Sequence, residues 1–232
     1  MQKFIRLCLT TFLILAPQVN CLANSLIPED FRDKISRLKW IAYAPLRFNP
    51  NIDLYPPEES IREDLELLFR YGFRGIVTYG ANKILAQIPR IARETGFQAV
   101  IMGIWDLASN NELENALAAV EYVDGYCVGN EGLNLRYDIA TLKEVIAYVK
   151  EKTGKPVTTT EQVTDYYNDA ILEIGDWVFP TIHPFLNHVT NPQKAANWIE
   201  KHYKILIRHA GSNKVVFFKE VGFPTAGMKH AN

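Results

Sequence analysis

The sequence predicts an α/β chain organised as a TIM-type (β/α) barrel, with seven recognisable strands and an eighth unaccounted for. Three observations predict it. Short β-branched and aromatic runs alternate with longer helical patterns from Trp40 onward; the strand runs are apolar along nearly their whole length; and glycines stand where helices should stop. The strand runs are 39–44, 74–79, 98–104, 123–128, 156–160, 177–182 and 214–219. An open doubly wound sheet fits the same alternation. Neither G-x-G-x-x-G nor G-x-x-x-x-G-K-[ST] follows any strand, which weakens a nucleotide-binding version of it.

Residues 1–23 read as an export signal. Lys3 and Arg6 form the positive start, Leu7 to Ala16 the apolar run, and Cys21-Leu22-Ala23 the small-residue cleavage site. That run is too short to span a bilayer, so no transmembrane segment is expected in the mature chain. A lipid anchor on Cys21 is the competing reading. Residues 24–38 form an N-terminal arm, and residues 39–232 form one barrel domain.

Ser60-x-x-Glu63 predicts a capping box that starts the first barrel helix, Pro89 suits the first turn of the next, and Asn110 or Asn111 is placed to cap the third. Segments 139–152 and 191–208 are amphipathic helices. Gly72, Gly96, Gly154 and Gly211 each follow a helical pattern and precede a strand, where a left-handed stop is wanted. After residue 220 no apolar run remains for another strand and helix, so the barrel is expected to be unclosed, with strand 7 left as an edge beside strand 1.

Composition excludes several functions. Loss of Lys3 and Arg6 with the leader takes the formal charge of −1 to −3, which offers nothing to nucleic acid or an anionic membrane. Cys127 is the one cysteine outside the leader, so no internal disulfide is possible, and it reads as a buried strand residue. The histidines, at 183, 188, 202, 209 and 230, are scattered, so no metal or other cofactor is expected. No G-x-S-x-G elbow supports a serine esterase. The oligomeric state is left open.

Barrel chemistry gathers at the C-terminal ends of the strands. There the sequence places Tyr43, Thr78-Tyr79, Trp105-Asp106, Asn130-Glu131, Thr160-Glu161, His183 and Lys219-Glu220. Carboxylates with aromatic rings for sugar faces point to glycosidic chemistry, in which one acid protonates the leaving oxygen and another carboxylate attacks the anomeric carbon. Strands 4 and 7 lie across the mouth from each other. A separation of about 5–5.5 Å between their carboxyls makes such an enzyme retaining, and about 6.5–9.5 Å inverting. The plain alternatives are that Glu131 and Glu220 are loop or surface acids, Glu161 a helix cap, His183 a buried hydrogen-bonded imidazole, and Tyr43, Tyr79 and Trp105 barrel core.

Val128-Gly129-Asn130-Glu131 and Lys219-Glu220-Val221-Gly222-Phe223-Pro224-Thr225-Ala226-Gly227 resemble the two catalytic signatures of glycoside hydrolase family 17. Members of that family are β-1,3-glucanases and related β-glucan transglycosidases. Segments 40–45, 78–80, 103–106 and 181–185 fall where such a protein has its strand ends, so the resemblance covers roughly residues 39–227. It implies that Glu131 is the proton donor, Glu220 the nucleophile, and Asn130 a partner of the sugar 2-hydroxyl. Tyr43, Tyr79, Trp105, Asp106, Glu161, His183 and Phe223 complete the expected substrate wall, and a β-glucan is the expected partner. His183 in place of a tyrosine, and Lys219 where a serine often stands, depart from the plant-type pattern and point to a bacterial-type branch. A carbohydrate-binding barrel of the cell envelope with little or no turnover is the competing function.

Overall fold

The computed structural model describes residues 27–224. The export signal therefore lies outside the described residues, as do Thr225, Ala226 and Gly227 of the second signature. The elements alternate as α1 (Glu29–Arg37), β1 (Trp40–Ala42), α2 (Glu58–Arg70), β2 (Gly75–Val77), α3 (Ile88–Thr95), β3 (Ala99–Ile104), α4 (Asn110–Ala118) and β4 (Gly125–Val128). Then follow α5 (Ile139–Thr153), β5 (Val157–Thr158), α6 (Asp169–Leu172), β6 (Thr181–Ile182), α7 (Pro192–Ala210) and β7 (Glu220–Val221).

Strands β1 to β5 pair in sequence order, all parallel, and β6 pairs parallel with β7. The two sheets are one curved surface joined beyond β5: Thr181 N donates to Glu161 O and Val163 N to Thr181 O, both within 3.0 Å. The expected run 177–182 is broken by Pro180, which has no N–H to give. Pairing with the last run nonetheless continues on both sides of it, through Phe217 N to Val178 O and Lys219 N to Pro180 O, and past residue 219 through Gly222 N to Ile182 O. Among the described residues β1 pairs only with β2 and β7 only with β6. The edges meet through side chains, with the Trp40 and Phe217 rings 5.3 Å apart, and a hollow of about 560 Å³ follows the seam.

Alternation along the strands sorts side chains into two layers. Val77, Ile101, Cys127 and Phe179 point into the barrel with Trp177, while Ile61, Leu65, Ile76 and Val100 pack between sheet and helices. The expected arm supplies a plug. Phe31 and Ile35 of α1 enter the barrel interior, and the Phe31 ring meets Trp177 edge-on at 5.4 Å. Cys127 is buried as expected, and burial pushes its thiol up to about 12.

Two expected caps move. α2 begins at Glu58, directly after Pro57 in extended conformation, and Ser60 lies buried inside the helix instead of capping it. Glu58 and Glu59 place acid in the first turn, where the helix dipole favours it. α4 is capped by Ser109, which accepts from Glu112 N, and not by Asn110 or Asn111. Pro89 does stand in the first turn of α3, and Gly72, Gly96, Gly154 and Gly211 all have positive φ. No helix of the described residues is long and apolar enough to cross a membrane.

Candidate active site

Glu131 is delivered by a backbone that L-residues rarely adopt. Gly129 has φ 78° and Glu131 φ 49°, so the chain turns sharply off β4. A side chain at Gly129 or Gly132 would collide with Tyr137, which fills the inside of this turn. Tyr137 accepts from Gly132 N at 3.0 Å and donates to Glu161 at 2.8 Å, while Glu161 also accepts from Leu133 N at 3.3 Å. Arg136 closes the turn from above, donating to Trp105 O at 3.0 Å and to Asn130 O. A left-handed non-glycine residue held by this many bonds is strain stored where a side chain must be aimed.

The carboxylate so aimed accepts from the Thr181 hydroxyl on β6. His183 follows one residue beyond β6, and its Nε2 lies 3.7 Å from Glu131 Oε1 and 3.7 Å from Glu220 Oε2. Those two oxygens are thus separated by no more than twice that distance. All three side chains are between a fifth and a third exposed, open enough to be reached and dry enough for charge to matter. Gly222 makes room for the imidazole, since a Cβ there would press into the His183 ring.

Tyr79 stands beside Glu220 as a hydrogen-bond donor, and burial with that neighbouring carboxylate pushes its hydroxyl well above the ordinary tyrosine value. Lys219, buried in the barrel, donates to Asn130 Oδ1 and lies 4.2 Å from the Tyr79 ring centre. Burial lowers its pKa, and the nearby Cys127, Glu220, Glu131 and Glu161 oppose that shift. With Oδ1 occupied, the Asn130 amide is left to present its NH2 group as a donor.

The mouth therefore brings together Glu131, Glu220, Asn130, Tyr79 and His183. Phe223 stands close by, its ring edge-on to Phe185 at 6.3 Å. Trp105 is 41% exposed on the rim with Arg136 4.3 Å from its ring, and the Asp106 carboxylate accepts from Ala108 N at 3.0 Å as a turn. Two expected wall residues are placed elsewhere. Tyr43 faces the helix layer, because Trp40 and Ala42 take the inward positions of β1, and its hydroxyl donates to Asp64 at 2.9 Å. Glu161 is buried beneath the β4 turn, with both oxygens engaged there and burial raising its pKa. Lys219, Thr181, Arg136 and Tyr137 were not singled out as site residues. Lys219 and Thr181 occupy inward strand positions that alternation alone would have flagged.

A curved parallel sheet that aims two carboxylates at one imidazole, at the C-terminal ends of its strands, has the outline of a glycoside-cleaving site. The chain belongs to the BtgE/BtgC glycoside hydrolase domain family, whose model matches residues 41–232. No curated protein matches the sequence significantly. Among solved structures, a dihydrodipicolinate synthase from Bacillus anthracis superposes with TM-score 0.51 at 14% identity, covering 78% of this chain and 63% of that one. An N-acetylneuraminate lyase from Proteus mirabilis gives 0.45 at 11%, covering 78% and 63%. An enolase from Bradyrhizobium gives 0.44 at 15%, covering 79% and 51%. At such identity the synthase shows the TIM-barrel-like fold alone. The chain spans less than two thirds of its length.

Proposed function

We propose that the chain is a retaining glycosidase of β-1,3-linked glucan, hydrolysing it or moving a glucanosyl unit, with Glu131 as general acid/base and Glu220 as nucleophile. The observation that carries this reading is the approach of both carboxylates to 3.7 Å from a single imidazole nitrogen. That bound admits the separation of about 5–5.5 Å on which double displacement depends. Glu131 protonates the departing oxygen while a Glu220 oxygen bonds to the anomeric carbon. Water or a sugar hydroxyl then gives its proton to Glu131, bonds to that carbon, and releases Glu220. Tyr79, holding its proton firmly, donates to Glu220, and Asn130, set by Lys219, donates to the 2-hydroxyl. The β-1,3 linkage rests on the resemblance of segments 128–131 and 219–227 to glycoside hydrolase family 17.

Azide rescue tests the assignment. Glu131→Ala should yield a β-glycosyl azide from an activated substrate, and Glu220→Ala an α-glycosyl azide. Wild-type activity of both variants on laminarin would end it. The open seam between β1 and β7 favours one second reading, a barrel that binds β-glucan without cleaving it. Binding with no release of reducing sugar is its signature. Export belongs to the same proposal, and N-terminal sequencing of secreted protein beginning at Asn24 is the expected result.

A further inference from the structure

Two hollows flank the carboxylate pair, and they differ in which carboxylate they hold. The seam hollow is lined by Glu220 and His183; the other, of about 200 Å³, is lined by Glu131, Gln162, Thr181, His183, Asn187 and Trp198 among others. His183 is the wall between them. In a double displacement the general acid faces the leaving oxygen, on the departing side of the bond, whereas the nucleophile faces the anomeric carbon of the retained sugar. The hollow holding Glu131 is then the departing side.

We infer that this second hollow is the subsite for the leaving sugar and, in the return step, for the incoming acceptor: a neutral pyranose resting against the indole of Trp198. The inference rests on the reading of Glu131 as the acid/base. No Lys or Arg lines the hollow to hold an anion, and the Gln162 and Asn187 amides beside the indole offer a neutral sugar the donors and acceptors its hydroxyls need. Trp198 is also braced for the task. Its ring lies 4.1 Å from that of His202, which stacks at 7° on Tyr167 and joins the Tyr167 hydroxyl through Nδ1. Burial lowers the His202 pKa, keeping a neutral imidazole behind the indole. A platform fixed in advance loses little freedom when a sugar lands on it. In the return step the acceptor hydroxyl gives its proton to Glu131, its oxygen bonds to the anomeric carbon, and the ester bond to Glu220 breaks.

The test compares Trp198→Ala, Trp198→Phe and Gln162→Ala. In a Glu220→Gln background, calorimetric titration with β-1,3-linked gluco-oligosaccharides should show affinity about tenfold weaker with Trp198→Ala and largely restored with Trp198→Phe. Equal affinity in all three would overturn the assignment. With Glu220 intact, an oligosaccharyl fluoride donor has a one-atom leaving group, so a sugar acceptor is all that enters the hollow. The acceptor KM should then rise about tenfold relative to the donor KM. A rise in donor KM with acceptor KM constant would overturn it. Should Trp198→Ala not fold, the exposed Gln162→Ala decides the question with the same readouts: it is expected to weaken the acceptor and not the donor, and an unchanged acceptor KM would overturn the assignment. Failure of the wild type to cleave any β-glucan would sink the glycosidase reading alone, because the binding comparison still judges the hollow.

Discussion

Replacing Gly222 by alanine should separate activity from stability. The added Cβ would lie 2.9 Å from His183 Cε1 and closer still to Nδ1, whereas ordinary contact begins near 3.4 Å, so the imidazole must retreat. Retreat of about 1 Å takes Nε2 out of its shared position between Glu131 and Glu220, and misplacement on that scale costs about 100-fold in rate. That corresponds to ~2.7 kcal/mol of transition-state stabilisation. The fold should not suffer in proportion. Gly222 is absent from the positive-φ residues, and the His183 side chain is 25% exposed, so it is not locked in the core. Alanine also narrows the unfolded ensemble, worth roughly 0.4–1 kcal/mol in favour of folding. The assay is kcat/KM on a soluble β-1,3-glucan beside thermal melting of the same preparation. A variant within about threefold of wild type would refute the claim that His183 must stand between the two carboxylates, and so would a loss matched by an equal loss of melting temperature.

Lys219→Met removes a donor from Asn130, and a charge-assisted bond of ~1.5–3 kcal/mol predicts a fall in kcat/KM of roughly 10–100-fold. The deficit should shrink on a 2-deoxy substrate if Lys219 acts through Asn130. Glu161→Gln should change the pH dependence of stability. Burial raises the folded pKa of Glu161, so its relative stabilisation is complete below the ordinary carboxylate value of 4.5 and is lost as pH rises through the folded one. Melting temperatures from acid to neutral pH should therefore converge on or cross those of the wild type as pH rises, and a constant offset would refute the assignment. Phe31→Ala empties the barrel plug and should cost about 3–5 kcal/mol by denaturant titration.

The strand sequence carried the fold because near-continuous apolar runs and positive-φ glycines are local signals, each set by what its own segment must bury or turn. It failed where the outcome depended on a neighbour. Tyr43 directly follows β1, its N–H still bonded to Val77 O, yet whether it faces the mouth or the helices depends on which phase of the alternation points inward, and the bulk of Trp40 beside Phe217 decides that from across the seam. Ser60 had the spacing of a cap, but the N-cap is Pro57, three residues earlier. Glu161 has the composition of a site residue and the position of a strand end, but it is turned to Leu133 and Tyr137, partners fixed only when the β4 turn folds over it.

The same dependence explains which site residues were legible. Glu131 and Glu220 could be read because each follows an apolar run in the sequence, where a carboxylate has few structural reasons to be. Lys219 precedes one of them and was read merely as a departure from a pattern, although an inward lysine on that strand must find acceptors inside the barrel or unbalance it. It finds Asn130, which precedes the other carboxylate, so the two strand ends are tied by one bond across the barrel. Trp198 was the least accessible of all. It lies on a helix whose periodicity assigns it to packing, and it shares a hollow with Glu131 only because the elements between them in the chain bring α7 to that side of the site. A site assembled from strand ends is thus written in each strand separately, whereas the wall that selects the ligand is written in the order of the elements.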